Sequence, residues 1–142
     1  MGSRRQAREH ALQLLYQLDL TDNPSHEEAR KNFWALEPAD PDVVDFAGSI
    51  VAGARARLEE IDGLIADASH NWKVQRMSYV DRNILRLAVF ELIAMEDVPP
   101  MVSLNEAIEL GKRFGTTESG SFINGILDRI ARTMNLTGGE SE

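Results

Sequence analysis

Arginine is concentrated at the N-terminus of the chain. Arg4, Arg5 and Arg8 stand against Glu9 alone, which gives residues 1–10 a charge of plus two, although the whole chain has a formal net charge of minus eight. Guanidinium groups pair with phosphate oxygens and stack on nucleobases. A local basic segment on an acidic chain therefore favours selective contact with one short stretch of nucleic acid over a general nucleic-acid coat.

The helical geometry of this segment strengthens the hypothesis that it binds nucleic acid. With roughly 100° between successive residues, Arg4 and Arg8 lie over the same arc as Leu12 and Leu15, so they overhang the apolar face. The N-terminal end of a helix is positive, and helix stability therefore does not explain arginines there. We predict that Arg4, Arg5 and Arg8 bind RNA. The alternative is an ordinary solvated helix start.

A polar connection before the last predicted helix is a second candidate contact. Residues 115–121 lead into a helix start whose free backbone N–H groups can bind phosphate, and Lys112 and Arg113 stand just before them. The alternative is a plain interhelical turn. Phe122 continues the apolar stripe of the last helix, which predicts a core residue, but its place in the first turn would also allow base stacking. Tyr16 is open to two interpretations, a partner or base contact and a half-buried residue at the core edge.

The residue types that catalysis and metal binding require are missing or scattered. The chain has no cysteine, and its three histidines, His10, His26 and His70, lack the paired spacing of a metal site. No serine follows a strand in a nucleophile motif. We therefore predict a binding protein that is not an enzyme and that holds no metal or other cofactor.

Helical periodicity extends along the whole chain, and no segment alternates apolar and polar residues cleanly enough for a strand. We predict an all-α, single compact domain of about seven helices over residues 1–136, followed by a flexible C-terminal tail at 137–142. No stretch approaches the ~20 apolar residues of a membrane span, and the N-terminus has no apolar signal core. The expected location is the cytoplasm, without membrane contact.

Capping residues and helix breakers predict where the helices begin and end. Residues 84–93 are apolar almost all round, which predicts that their helix is the central one. The first helix is predicted over 4–20, the second opens at Ser25 and the third is capped by Asp42. The periodic stretch that follows could be one long helix or two helices parted near 55–57, and we favour two. The later signals are a capping pair of Ser78 with Asp81, a capping box opening at Ser103, a stop at Gly115 and a last helix over 119–135.

An ordered set of motifs in the chain resembles the NusB family. No single motif is specific, but the set covers nearly the whole chain in the expected order. The motifs are RRQARE at 4–9, ALQ at 11–13, LY at 15–16, DR at 81–82, LR at 85–86, EL at 91–92, VP at 98–99, NEAIEL at 105–110, FG at 114–115 and FINGIL at 122–127.

The resemblance implies an all-helical transcription antitermination factor with two helical sub-bundles. In that family the factor pairs with NusE, a protein of the small ribosomal subunit. The pair binds the single-stranded boxA element of nascent ribosomal-operon transcripts and joins the elongating RNA polymerase complex. By position, the resemblance implies RNA contacts at Arg4, Arg5, Arg8, Glu118 and Phe122, and NusE contacts at Tyr16 and Asp81.

The chain departs from the family pattern at Ser121, where a basic residue would help to hold RNA, and at Gln6, where a longer arginine run is common. Both departures lower the RNA affinity expected of the chain without NusE. Two alternatives stay open. The chain also resembles the N-terminal RNA-binding domain of ribosomal-RNA cytosine methyltransferases, and it could be a helical protein–protein adaptor or homodimer whose arginines face acidic protein. The salt dependence of binding would separate phosphate from protein contacts.

Overall fold

The described part of the chain consists of helices joined by short connections. A computed structural model describes residues 3–21, 26–70 and 72–135. No strand occurs in these ranges, which confirms the predicted all-α fold. The elements, in chain order, are α1 (Ser3–Thr21), α2 (His26–Leu36), α3 (Pro41–Ala56), α4 (Leu58–Ser69), a short 3-10 helix (Val74–Arg76), α5 (Tyr79–Ala94), α6 (Pro100–Phe114) and α7 (Ser119–Thr133).

Helix α5 is the centre of the fold, as its apolar composition predicts. It packs against α1, α3, α4, α6 and α7, and every residue from Asn83 to Glu91 is buried. Its start is also as predicted, because the backbone N–H of Asp81 donates to the Ser78 hydroxyl over 3.0 Å. On either flank of α5, α1 packs with α2 and α3, and α6 packs with α7. These two groups form the two helical sub-bundles.

The predicted division near residues 55–57 is confirmed at Arg57, which separates α3 from α4. The Arg57 N–H still donates to the Gly53 carbonyl over 3.0 Å, and the Arg57 carbonyl accepts from the Ile61 N–H over 2.9 Å. The backbone groups therefore stay paired across the bend. Gly53 also permits close packing of α3 on α5, because a Cβ atom there would lie 2.1 Å from Cζ of Phe90.

Two predicted helix caps are wrong, and proline is the reason in both cases. The N-cap of α3 is Asp40 instead of Asp42, since Pro41 occupies the first helical position. Helix α6 likewise begins at Pro100, so Ser103 lies inside it and not at its start. The fixed φ angle of proline suits the first position of a helix, where its missing N–H would have had no partner within the helix.

The other predicted ends agree with the structure. Helix α6 ends at Phe114, which leaves Gly115 as its C-cap, and α7 ends at Thr133, two residues before the predicted end at 135. The predicted cap at Ser25 and the predicted tail at 137–142 lie outside the described residues. In the ranges that are described, no helix combines the length and the apolar character that crossing a membrane requires.

Candidate functional site

Arg4 and Arg5 lie on the surface of the first turn of α1, and each pairs with a carboxylate. Arg4 Nη2 lies 3.3 Å from Asp97 Oδ2, and its guanidinium lies 4.5 Å from the centre of the Phe46 ring. Arg5 donates two hydrogen bonds to Glu106, over 3.0 and 2.8 Å, and these lower the pKa of the Glu106 carboxyl. Exposed ion pairs contribute at most about 1 kcal/mol. Because the two arginine side chains are 53% and 55% exposed, phosphate groups can compete for both guanidinium groups.

Arg8, which we predicted to bind RNA together with Arg4 and Arg5, does not share their surface. Its side chain is 4% exposed and donates two hydrogen bonds, of 2.7 and 2.8 Å, to the two carboxylate oxygens of Glu91. Glu91 is itself buried in α5 and also accepts a 2.8 Å hydrogen bond from the Ser103 hydroxyl. The helical periodicity correctly places Arg8 over the apolar face, but the buried carboxylate draws its guanidinium into the interior.

Helix α6 connects the N-terminal arginines to the loop before α7. Glu106, which holds Arg5, lies near the middle of α6, and Arg113 in its last turn forms an ion pair with Glu9 of α1. At a rise of about 1.5 Å per residue, Glu106 and Arg113 are about 10 Å apart along the helix axis. Lys112, the neighbour of Arg113 in the sequence, has its Nζ 3.7 Å from Glu109 Oε2. Lys112 and Arg113, the cations just before the candidate contact loop, therefore belong to a row of paired charges of both signs.

Ser119, at the start of α7, holds the preceding loop in place. Its hydroxyl accepts a 2.9 Å hydrogen bond from the Thr116 backbone N–H and donates one of 2.7 Å to Asp81 Oδ1. A Cβ atom at Gly115 would lie 2.3 Å from the Ser119 hydroxyl oxygen, so glycine is required there for space. Glu118 occupies the N-cap position of α7, and its side chain is exposed.

Phe122 is half-buried in the first turn of α7. It packs against the core, and its ring also lies edge-on to the ring of Trp72, with the two centroids 5.9 Å apart and an angle of 79° between the planes. Trp72 is 55% exposed. Sequence reasoning predicted no role for Trp72. The signal that could have found it is a large aromatic residue in a polar connection between two helices.

Tyr16 and Asp81, the predicted partner contacts, lie near the ends of α1 and α5 that face each other. Tyr16 is 37% exposed and lies edge-on to Tyr79, with centroids 6.0 Å apart. Arg82 covers the Tyr79 ring at 4.4 Å and donates two hydrogen bonds to Asp19 of α1, over 2.7 and 2.9 Å. Asp81 is half-buried in the first turn of α5, where its bond to the first residue of α7 links this aromatic surface to the loop.

The structure thus brings the predicted residues together as two surfaces. Arg4 and Arg5 lie at one end of the first surface and Glu118 and Phe122 at the other, with α6 between them. Tyr16 belongs to the second surface, which adjoins the first at the start of α7. Within the described ranges, no cluster of three or more histidine, aspartate or glutamate side chains is arranged to hold a metal ion.

Comparison with known proteins gives concordant matches in sequence and in structure. The NusB family model matches residues 5–132. The transcription antitermination protein NusB of Myxococcus xanthus is 49% identical over 138 residues, which cover 95% of this chain and 99% of that protein. The solved structure of T. maritima NusB has a TM-score of 0.84 at 39% identity and covers 91% of this chain and 90% of that one. A crystal structure of antitermination factors NusB and NusE in complex with dsRNA has a TM-score of 0.85 at 30% identity, and the match covers 94% of this chain and 98% of that one.

Proposed function

The chain belongs to the NusB family, and we propose that it is a transcription antitermination factor that binds RNA together with NusE. The observation that carries this function is the 49% identity to the M. xanthus antitermination protein over almost the full length of both chains. It favours antitermination over the methyltransferase-domain and adaptor hypotheses. The chain is accordingly not an enzyme, and its residues act by binding.

The proposed RNA surface consists of Arg4 and Arg5 together with Glu118 and Phe122. Both arginine side chains are more than half exposed, and the Arg4–Asp97 contact is a weak surface ion pair that a phosphate can replace. Arg5 holds the less exposed Glu106 more firmly, but its own side chain stays open to a phosphate. Phe122 offers a partly exposed ring for an unpaired base. Phosphate contacts set the position of an RNA strand, and contacts to its bases select its sequence. The proposed target is the single-stranded boxA element of ribosomal-operon transcripts.

In this proposal Arg8 has a positioning role and does not bind phosphate. Its buried pair with Glu91 ties the first turns of α1 to the central helix. That connection fixes the direction in which the Arg4 and Arg5 side chains project from the surface. A salt-stable, buried pair beneath two exposed arginines preorganises the basic segment before RNA arrives.

The proposed NusE surface is the exposed aromatic pair of Tyr16 and Tyr79 with the adjoining Asp81. Exposed tyrosines supply large, rigid contact areas at protein interfaces. Asp81 already uses one carboxylate oxygen on Ser119, so it contacts a partner through its remaining oxygen. Through NusE and RNA the chain joins the elongating RNA polymerase complex, and the proposed location is therefore the cytoplasm.

The RNA proposal is tested by titrating boxA RNA and a scrambled RNA, with and without NusE, at several salt concentrations. Replacing Arg4 and Arg5 together with alanine is expected to weaken boxA binding and to reduce the logarithmic salt slope by about 1.4, since each single-strand phosphate contact contributes about 0.7. The matched control is Arg57→Ala, which removes another exposed arginine with a bidentate glutamate partner, Glu60. Equal binding by the double variant and the control would contradict the proposed RNA surface.

The partner surface is tested by Tyr16→Asp, which places a charge in the exposed aromatic pair. It is expected to weaken NusE association in a pull-down, because a desolvated carboxylate without a partner opposes binding. Tyr16→Phe keeps the ring contact with Tyr79 and serves as the control. NusE capture at the level of the unmodified chain by Tyr16→Asp would show that NusE binds elsewhere.

A further inference from the structure

The segment at residues 72–76, between α4 and α5, presents an exposed tryptophan from a well-anchored backbone. The Trp72 carbonyl accepts a 2.6 Å hydrogen bond from the Ser69 hydroxyl. Val74 and Met77 are 5% and 6% exposed and fix the segment to the core, and a 3-10 turn joins them. Trp72 nevertheless remains 55% exposed. The packing of the fold therefore explains the segment's backbone but not the large indole surface left in solvent.

The ring of Trp72 extends the proposed RNA surface beyond Phe122. The two rings meet edge to face, with centroids 5.9 Å apart. An edge-on contact leaves much of the indole open, as the exposure of the residue shows. Unpaired bases stack on such aromatic surfaces, and the contact does not depend strongly on which base is bound. Two adjoining aromatic residues could hold one base or two consecutive bases.

Lys73 and Arg76, on the same segment, differ from the other cations of the surface. Both side chains are exposed, and neither forms an ion pair with any residue that the structure describes. Arg5 and Arg113, in contrast, each have a carboxylate partner. A phosphate that binds Lys73 or Arg76 displaces no carboxylate. On a chain with a net charge of minus eight, two unpaired cations beside an exposed tryptophan make a local site suited to a polyanion with aromatic bases.

We propose that residues 72–76 form a further RNA-binding element, in which Trp72 stacks on an unpaired base and Lys73 and Arg76 bind the flanking phosphates. This inference rests on the proposed RNA-binding function. It lengthens the RNA path from Arg4 and Arg5, along α6 and the loop before α7, to the connection before α5. The element also compensates for Ser121, the position at which a basic residue would have strengthened the same end of the surface.

Tryptophan fluorescence provides a direct test, because the chain has two tryptophans. The other, Trp34, stacks on the buried His10 ring with centroids 5.2 Å apart, so Trp34→Phe keeps an aromatic ring there and leaves Trp72 as the single reporter. Short single-stranded boxA RNA is expected to quench the fluorescence of this variant in proportion to the bound fraction. Binding without any change in the emission of Trp72 would refute stacking on its ring.

Affinity measurements on further variants test the energetic contribution. Trp72→Ala is expected to weaken RNA binding about 5- to 150-fold, and Trp72→Phe to retain most of the affinity. Replacing Lys73 and Arg76 with alanine is expected to reduce the salt slope by about 1.4, whereas the exposed Lys31→Ala control in α2 leaves it unchanged.

The outcomes separate this inference from the function on which it rests. If the unmodified chain binds no RNA with or without NusE, both are refuted. If the chain binds RNA and the Arg4 and Arg5 variant is weakened, but Trp72→Ala and the Lys73 and Arg76 variant bind normally, only the present inference is wrong. Loss of NusE capture with unchanged RNA affinity in Trp72→Ala would assign the segment to a protein partner, which also overturns it.

Discussion

Replacing Arg8 with alanine is expected to lower the free energy of unfolding by about 3–5 kcal/mol, because the change leaves a buried carboxylate without its cation. Glu91 is 1% exposed and would keep only the 2.8 Å hydrogen bond from Ser103. By comparison, Arg5→Ala breaks a pair whose arginine is 55% exposed and screened by solvent, so its expected cost is much smaller. Two arginines three residues apart are therefore predicted to differ several-fold in their contribution to stability.

Thermal melting followed by circular dichroism measures this difference. For a chain of this length, a loss of 3–5 kcal/mol corresponds to a decrease in Tm of roughly 10–20 °C, whereas Arg5→Ala should shift Tm by only a few degrees. The double variant Arg8→Met with Glu91→Leu removes both charges together and is expected to recover most of the loss, since apolar residues of similar volume can replace a buried ion pair.

The same variants decide whether Arg8 touches RNA. At a temperature well below its Tm, Arg8→Ala is expected to bind boxA RNA with the salt slope of the unmodified chain. A direct phosphate contact would instead reduce the slope by about 0.7. If Arg8→Ala melts together with Arg5→Ala and binds RNA with the flatter slope, Arg8 is an exposed phosphate ligand and its assigned positioning role is refuted.

Two further predictions concern other features of the fold. Gly53→Ala is expected to destabilise the chain by about 1–3 kcal/mol in a denaturant titration, because its Cβ would meet the Phe90 ring at 2.1 Å. A Cβ at Gly48, on the same helix, has no atom within 4 Å, so Gly48→Ala should stabilise the chain by about 0.5–1 kcal/mol. Changes of the same sign in both variants would contradict the packing argument. Burial raises the pKa of Asp19, but hydrogen bonds from Arg82 and Asn83 outweigh it and lower the pKa overall. The contribution of this carboxylate to the free energy of unfolding should therefore be complete above about pH 4 and be lost as the pH falls through its folded-state pKa. Asp19→Asn should lack this component in an acid unfolding measurement, and pH profiles identical to those of the unmodified chain would refute it.

Much of the fold could be predicted from the sequence because it depends on neighbouring residues. The apolar stretch at 84–93 required a central helix, and the Ser78 hydroxyl lies three residues from the N–H that it caps. The apolar period runs on past Arg57 through Leu58 and Ile61, so the sequence also allowed one long helix in place of α3 and α4. At the starts of α3 and α6, two local signals compete. Proline at the first helical position outweighed the capping signals at Asp42 and Ser103.

The sequence alone therefore determined the all-helical fold, the central position of α5 and the family resemblance, since these follow from local periodicity and from the order of motifs. Only the tertiary structure decided which arginines are available to a ligand. Arg8 and Arg5 have the same charge and nearly the same sequence context, but their carboxylate partners lie 83 and 101 residues away, one in the core and the other on the surface. The contact of Trp72 with Phe122 also joins distant segments. Burial and pairing over such separations depend on how the helices pack, and no local pattern in the sequence records them.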